Sequence, residues 1–173
     1  MGNHSAVMDM DASRQDRFGE LIERHRGIVF KVANTYAWHP DDRDELAQEI
    51  AAQLWRAFPG YDAQRPFSTW MYRIALNVAI SQVRSTTRRD RHAVPLDEAL
   101  HDIADDSGGG PEAGQQVRAL HRFIVQLDKL NRALLLLYLE DHAYREIADI
   151  LGITETNVAT KISRLKQRIR NEI

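Results

Sequence analysis

The chain has 173 residues, a formal net charge of −2, 43% hydrophobic and 28% charged residues, and no cysteine. These values are typical of one or two small globular domains, and the lack of cysteine excludes disulfides, thiolate metal sites and thiol nucleophiles. No apolar run approaches the roughly 20 residues that span a bilayer, and the N-terminus lacks the pattern of a secretory signal. We therefore expect a cytoplasmic protein with no direct membrane insertion.

The first 36 residues are predicted to divide into two parts. We expect residues 1–13 to form a disordered N-terminus, because terminal segments are poorly ordered unless they are tied down. From Phe18 to Tyr36, apolar residues recur at three- and four-residue steps, which predicts an amphipathic helix of about 20 residues. No convincing alternating strand pattern occurs along the chain. The predicted fold class is all-α, with two small helical domains.

Two further helices are predicted in the first half. The motif "HPDD" breaks the first helix, and Asp41 or Asp42 is a predicted N-cap of the second. Apolar residues three and four apart then form the buried stripe of the second helix. The turn-rich segment "FPGYDAQRP" leads to a third helix over about 70–88, with Ser68 or Thr69 as its predicted N-cap.

A change in composition separates the two predicted domains. The segment "LDEALHDIADDSGGGPEAG" is acidic, contains no Lys or Arg, and has a Gly triplet followed by Pro111. This composition predicts a flexible linker. The chain is thus divided into a three-helix domain at 14–91, an acidic Gly-rich linker at 92–113 and a second helical domain at 114–173.

The segment "AYREIADILGITETNVATKISRLKQRIR" has the layout of a helix-turn-helix. Gly152 lies where a left-handed residue ends a helix, and Thr154 is a predicted N-cap of the next helix. In that helix the apolar positions 158, 162, 165 and 169 form one stripe, and hydrogen-bonding groups and cations lie largely away from it. This arrangement favours reading of a DNA major groove. The alternatives are a solvated basic face stabilised by the helix dipole, or contact with an anionic membrane.

The second helix carries a mostly acidic outward face. Asp42, Glu45, Glu49 and Arg56 share this face on a helical wheel, with Asp44 and Gln48 at its margin. Such a surface repels DNA and attracts a basic protein surface. An ordinary solvated helix face, with acidic residues favoured near the N-terminus, is the alternative interpretation.

The third helix has the opposite character. A narrow polar and cationic sector runs along it through Arg73, Asn77, Ser81, Arg84 and Arg88. The preceding loop adds aromatic and cationic side chains at Phe58, Tyr61, Arg65 and Phe67. Aromatic rings with neighbouring cations suit unstacked bases and a single-stranded backbone, although Phe67 and Trp70 taken singly are typical core residues.

Three motifs in order make the chain resemble an extracytoplasmic-function (ECF) sigma factor of bacterial RNA polymerase: "DRDELAQEI…LWRAF", "FSTWMYRIALNVAISQVR" and "YREIADILGITETNVATKISRLKQRIR". The resemblance covers about residues 16–170 and implies a region 2 three-helix domain followed by a region 4 helix-turn-helix domain. It implies binding to core polymerase, promoter recognition and DNA opening, with no catalytic activity, cofactor or metal of its own. Two departures from the family, Ser81 four residues after Asn77 and the helix entry "TETNV", concern the promoter sequence that is read.

The resemblance also implies roles for individual residues. The residues expected to dock on the clamp of the largest polymerase subunit are Asp42, Asp44, Glu45, Gln48 and Glu49. The residues expected to contact the −10 element, including a flipped base, are Tyr61, Arg65, Phe67, Arg73, Asn77, Arg84 and Arg88. The residues expected to contact the −35 element are Thr156, Asn157, Ala159, Thr160, Lys161, Ser163, Arg164 and Arg168. In this last set Asn157 and Lys161 are expected mainly on phosphates, and the base edges are left to Ala159, Thr160, Ser163 and Arg164.

Two other functions fit parts of the sequence. A helix-turn-helix regulator that binds an operator as a dimer explains the C-terminal third, but it leaves the acidic face without a role and needs a self-complementary apolar surface that we do not identify. An enzyme has little support, because the histidines show no metal-ligand spacing and no phosphate-binding glycine loop is present. By analogy with the family, an anti-sigma factor is expected as a further partner.

Overall fold

The computed structural model describes residues 3–86 and 111–173, and the regular elements in these two ranges are helices. The first range contains three α-helices and a single 3-10 turn at Phe58–Gly60, and the second range contains four α-helices. In chain order they are α1 (Asn3–Tyr36), α2 (Pro40–Ala57), α3 (Phe67–Thr86), α4 (Pro111–Gln126), α5 (Lys129–Leu139), α6 (Tyr144–Leu151) and α7 (Glu155–Glu172). The all-α prediction is confirmed.

The N-terminal segment differs from its prediction. Helix α1 begins at Asn3 and runs for 34 residues, so the prediction of a disordered segment at 1–13 was wrong from Asn3 onward. The segment between Asn3 and Arg17 contains neither Gly nor Pro, and its Ala, Met, Gln and Arg residues are good helix formers. A helix that extends from a packed segment needs no new nucleus, although residues 10–17 are exposed.

The starts of α2 and α3 also differ from the predicted caps. His39 caps α2, since its Nδ1 accepts a hydrogen bond from the Asp41 backbone N–H at 3.3 Å, and Pro40 occupies the first helical position. Proline is favoured there because its fixed φ suits the first turn and its missing N–H needs no partner. Helix α3 begins at Phe67, so Ser68 and Thr69 lie within its first turn and are not its N-cap.

Helices α1, α2 and α3 pack against one another around a core of large apolar side chains. The most deeply buried of these include Val32, Leu46, Ile50, Leu54, Met71 and Leu76. The apolar stripes predicted in the sequence lie on these inward faces, except that Ala51, predicted in the buried stripe of α2, is exposed. Three helices in mutual contact leave the outer faces of α2 and α3 available for partners.

Helices α4 to α7 form the second half, where α5 packs against α7 and α6. Asp128 caps α5, because its Oδ1 accepts from the Asn131 backbone N–H at 2.9 Å. Arg132 is 9% exposed and its Nη2 donates to the carbonyls of Val125 and Leu127, at 3.1 and 3.2 Å. Arg132 thereby satisfies carbonyl groups that the end of α4 would otherwise leave without partners.

The two halves are in contact. The Tyr36 hydroxyl donates to the Lys129 carbonyl at 2.7 Å, and the Arg132 guanidinium lies 5.4 Å from the centre of the Tyr36 ring. A single hydrophobic cluster includes side chains from both halves. The predicted linker at 92–113 lies outside the described residues except for its last three positions, which are the start of α4.

Side chains at the edges of this contact carry charge or can be protonated. Lys31 of α1 is paired with Glu140 at the end of α5. The rings of Tyr72 and His142 meet edge to face with centroids 5.0 Å apart, and those of Trp38 and His121 at 5.1 Å. Burial, followed by the nearby Glu140 charge, raises the pKa of Tyr72 to about 12. The phenol therefore stays neutral in this contact at ordinary pH.

Candidate nucleic-acid interfaces and protein-docking surface

The turn between α6 and α7 has the geometry of a helix-turn-helix. Gly152 adopts a left-handed conformation with φ of 68°, and its N–H bonds the Ala148 carbonyl at 2.9 Å. Glycine suits this position because it has no Cβ to clash. The Thr154 hydroxyl accepts from the Asn157 backbone N–H at 3.1 Å. Both features predicted for this turn, the left-handed Gly152 and the Thr154 cap, are confirmed.

The outward face of α7 is formed by small polar side chains and one arginine. Val158, Ile162 and Leu165 are buried against the other helices of the second half. The opposite face exposes Thr156, Thr160, Ser163, Arg164 and Gln167. The Thr160 hydroxyl donates to the Thr156 carbonyl at 3.0 Å, so it offers other groups its lone pairs and its methyl group. Gln167 was missed in the sequence, although it lies four residues after Ser163 and three after Arg164.

The cations of α7 fall into two groups. Arg168 and Lys166 have partners within the protein. The Arg168 Nε donates to Glu172 at 3.1 Å and its guanidinium lies 5.1 Å from the Phe123 ring centre, while the Lys166 ammonium lies 4.7 Å from that of Tyr138. A hydrogen bond that the Lys166 ammonium donates to the Tyr138 side chain raises the pKa of Lys166. Arg164 is exposed and has no such partner among the described residues.

The other predicted members of this set lie near the margins of the outward face. Asn157 is exposed, and Ala159 and Lys161 are half-buried. Arg168 is exposed too, but its intramolecular contacts make it a weaker candidate for a base or phosphate contact than the sequence indicated.

The loop between α2 and α3 is held in one shape by local hydrogen bonds. The Tyr61 hydroxyl donates to the Arg65 carbonyl at 2.7 Å, and the Asp62 carboxylate accepts from the Gln64 N–H at 3.0 Å. The Tyr61 ring lies against Phe67 and Trp70, with centroids 5.3 and 5.1 Å away. A well-defined loop backed by aromatic rings is the kind of surface that suits an unstacked base.

Phe67 does not itself reach the surface. It is 5% exposed and packs against Tyr61, so Phe67 is a weaker candidate for direct contact with DNA than the sequence indicated. Arg65 is exposed at the rim of the loop. His25 of α1, predicted only as part of the inward stripe of that helix, packs on Phe67 with ring centroids 5.3 Å apart. Only the tertiary packing of α1 on the start of α3 brings that side chain to the loop.

The polar sector of α3 is exposed where the structure describes it. Arg73, Asn77 and Ser81 are all exposed, and the half-buried Trp70 lies at the N-terminal end of the same sector. The Arg84 side chain and all of Arg88 lie outside the described residues. Tyr72, which contacts the second half, lies on a different side of α3, so contact between the halves leaves the sector open.

The acidic face of α2 is centred differently from the prediction. Asp42, Asp44, Glu45 and Gln48 are exposed. Glu49 is half-buried, and its Oε1 accepts from the Gln53 side chain at 3.2 Å. The most open part of the surface therefore runs along Asp44, Glu45 and Gln48, which the sequence had placed partly at the margin.

The described ranges contain neither a membrane-spanning helix nor a cluster of metal ligands. No helix there is long and apolar enough to cross a membrane. No group of three or more His, Cys, Asp or Glu side chains there is arranged to hold a metal ion.

Comparison with known proteins matches both halves to one family. Residues 21–89 match sigma-70 region 2, and residues 117–169 match sigma-70 region 4. The chain is 29% identical over 171 residues to the RNA polymerase sigma factor CnrH of Cupriavidus metallidurans, covering 91% of this chain and 87% of that protein. It is 23% identical over 170 residues to the ECF RNA polymerase sigma factor SigW of Bacillus subtilis, covering 92% and 90%.

A solved structure has the same fold. The sigma factor RpoE from Bartonella quintana, in complex with the anti-sigma factor NepR, aligns with a TM-score of 0.62 at 15% identity, covering 91% of this chain and 94% of that one. A region 2 domain followed by a region 4 domain defines a sigma factor of the sigma-70 type. The chain belongs to the ECF family of these alternative sigma factors, which direct promoter recognition by RNA polymerase.

Proposed function

We propose that this protein binds core RNA polymerase through α2, reads a −35 element with α7, and holds an opened −10 element with α3 and the loop before it. The observation that carries the proposal is the opposite charge of two adjacent helices in the first half. An acidic α2 surface and a cationic α3 sector require two partners of opposite charge, and polymerase and promoter DNA supply them.

At the −35 element, α7 enters the major groove with Thr156, Thr160, Ser163 and Arg164 facing the DNA. Arg164 reads a base edge, since a free guanidinium suits the two acceptors of guanine. Thr160 donates its hydroxyl proton to its own helix, so its methyl group is suited to the methyl group of thymine. Asn157 and Lys161, near the margins of the face, contact phosphates.

At the −10 element, Tyr61 and the loop around it bind a base that has left the stack. Extruding a base costs a few kcal/mol, which stacking and hydrogen bonds in a pocket offset. Arg65, Arg73 and Asn77 are exposed beside this loop and hold the backbone of the opened strand. Stabilising the opened strand is how the protein promotes DNA melting.

Simultaneous contact with both elements requires the two halves to separate. The −35 and −10 positions are 25 base pairs apart, which is about 85 Å of B-form DNA at about 3.4 Å per base pair. Even α1, with 34 residues, spans only about 51 Å at about 1.5 Å per residue. The ring of Tyr72 on α3 also contacts that of His142, which lies just before α6. We infer that polymerase and promoter binding replace the contact between the halves.

Regulation by an anti-sigma factor is part of the proposal. The solved relative from Bartonella quintana is bound to one, and a partner that held the halves together would prevent the separation described above. We place the protein in the cytoplasm, where polymerase and chromosome are found, and we assign it no catalytic step, because polymerase itself forms the phosphodiester bonds.

In vitro transcription tests the proposal. Core polymerase, the purified protein and a randomised promoter library should give specific transcripts that core polymerase alone does not produce. A helix-turn-helix regulator would instead bind the library as a dimer and leave core polymerase inactive. That outcome, or the absence of any complex with core polymerase, would reject the proposal.

A further inference from the structure

An exposed tryptophan lies beside the acidic residues of α2. Trp55 is 40% exposed, and the ring of Phe18 packs against it edge to face with centroids 5.1 Å apart. The indole N–H has no hydrogen-bond partner among the described residues. Tryptophan is among the residue types most enriched where protein interfaces gain most of their binding energy, so an exposed indole on a charged helix face is a candidate contact.

Trp55 belongs to the same row of side chains as two of the proposed docking residues. Positions 44, 48, 51 and 55 are spaced by four, three and four, so at about 100° per residue they lie within a sector of roughly 60°. All four residues, Asp44, Gln48, Ala51 and Trp55, are exposed. The polar row thus continues into an apolar section about one turn further along the helix.

We infer that Trp55, together with Ala51, is the apolar centre of the polymerase-docking surface. This inference rests on the proposed function and names a contact that the acidic residues cannot make. Stable interfaces combine a polar rim with an aromatic anchor that becomes buried on binding. An acidic rim alone mainly increases the association rate and sets orientation, and its effect is screened by salt.

The chemistry of Trp55 fits the basic partner that the acidic row selects. Lysine and arginine side chains have long apolar stems that pack on an aromatic ring, and their charged ends are attracted to the face of an indole. Gln48 and Asp44 lie further along the row, about 10 and 16 Å from Trp55 at about 1.5 Å per residue, and can contact other polar or cationic groups of the same partner. The surface therefore fits a cationic helix or strand of polymerase better than it fits an acidic or wholly apolar partner.

Another exposed aromatic side chain provides a control. Phe30 is 56% exposed on α1, outside α2 and its acidic row. If exposed aromatic area alone promoted polymerase binding, Phe30 and Trp55 would contribute alike. The inference assigns a contribution to Trp55 and none to Phe30.

The test measures the affinity of full-length variants for core RNA polymerase. Trp55→Ala should weaken binding by at least about tenfold, as expected for an aromatic anchor, whereas Phe30→Ala should change it by less than about twofold. The loss of affinity in Trp55→Ala should remain large when salt is raised from about 0.1 M to about 0.5 M, because burial of an apolar ring is not screened. Trp55→Phe, which keeps an aromatic ring beside Phe18, should retain most of the affinity.

A second variant avoids the contact with Phe18. Ala51→Arg places a cation in the exposed row without removing a packed side chain, and it should also weaken binding at least about tenfold, because like charges are brought together. Ala12→Arg, at an exposed position of α1, is its control and should bind normally. Thermal unfolding of each variant checks that the fold is retained.

Several outcomes would overturn the inference. If the wild-type protein binds polymerase and neither Trp55→Ala nor Ala51→Arg weakens binding, Trp55 is not part of the interface, although the proposed function stands. A change in the oligomeric state of Trp55→Ala, with unchanged polymerase affinity, would assign the patch to self-association instead. If the wild-type protein does not bind polymerase at all, the proposed function itself fails.

Discussion

The two nucleic-acid surfaces of this sigma factor differ in composition. The surface on α3 and the loop before it combines aromatic rings at Tyr61 and Trp70 with exposed cations such as Arg73. The surface on α7 contains no aromatic residue and exposes short hydroxyl side chains around Arg164. Aromatic rings stack on unpaired bases, whereas short side chains let a helix approach the edges of paired bases. The difference supports the proposal that the first half holds opened DNA and the second reads duplex DNA.

The cations of the two surfaces are also held differently. On α7, Lys166 and Arg168 lie over the rings of Tyr138 and Phe123, so they help to fix the recognition helix on its own half. On α3, Arg73 is exposed without such a ring partner. A count of positive charges in the sequence therefore overestimates the DNA contacts of α7, because two of its cations already contact aromatic rings of the protein.

Charge reversal on α2 should have the largest effect and should separate polymerase binding from DNA binding. Replacing Asp44 and Glu45 by lysine brings like charges together at the proposed clamp contact, which costs several kcal/mol. We expect affinity for core polymerase to fall by at least about a hundredfold. The control variant, Asp16→Lys with Glu20→Lys on α1, makes the same change in net charge. Equal polymerase binding by both double variants would remove α2 from the interface.

Arg132 tests how far the two halves depend on each other. Arg132→Met leaves the Val125 and Leu127 carbonyls without their donor and removes the cation above Tyr36. The free energy of unfolding should fall by about 2–4 kcal/mol, measured by urea denaturation. The exposed Arg145→Met should change it by less than about 0.5 kcal/mol. Similar values for both variants would show that the buried guanidinium does not stabilise the fold.

Two substitutions on α7 should distinguish base reading from phosphate contact. Arg164→Ala should cost about 1–3 kcal/mol at one −35 position and relax the preference there. Lys161→Ala should weaken binding to all sequences alike and reduce the salt slope by about one. Binding to a set of single-base −35 variants at several salt concentrations provides both measurements. The assignment of separate roles fails if the two variants lose the same affinity on every sequence.

The pH dependence of stability tests a smaller feature of the contact between the halves. Burial lowers the pKa of His121 from its ordinary 6.5, so the unfolded chain binds a proton more readily than the folded chain does. This contribution to stability is present above pH 6.5 and is lost as the pH falls through the lowered folded value. When the pH is lowered from about 7.5 to about 5.5, the free energy of unfolding should therefore fall less in His121→Gln than in the wild type. The difference between the two falls should be at most about 1 kcal/mol. Urea denaturation at both pH values measures it, and identical pH dependence would contradict it.

Much of the fold could be predicted from local patterns. The apolar stripes of α1, α2 and α7 follow helical spacing, and the turn before α7 depends on Gly152 and Thr154, which act within a few residues of themselves. The cap of α2 was missed because a histidine, an uncommon cap, took the role predicted for an aspartate. The length of α1 was underestimated because its first turns extend beyond the packed core.

The surfaces were less predictable, because they depend on packing between distant segments. The burial of Phe67 and the approach of His25 follow from the packing of α1 on α3. The partners of Arg168 lie on α4 and at the end of α7 itself. The sequence analysis assigned no role to Trp55, and only its exposure in the same row as Asp44 and Gln48 indicates a binding role. The resemblance to a family assigned residues by motif, and the structure shows which of them reach the surface.

The most direct test of the proposed division of roles between the two halves is to compare the promoter sequences that variants of each half select. In transcription from a randomised library with core polymerase, Arg73→Ala with Asn77→Ala should alter or relax the sequences enriched at the −10 element and leave the −35 preference unchanged. Arg164→Ala should do the reverse. If both variants change the same element, or if neither changes any preference, the division into a half that holds opened DNA and a half that reads duplex DNA is wrong.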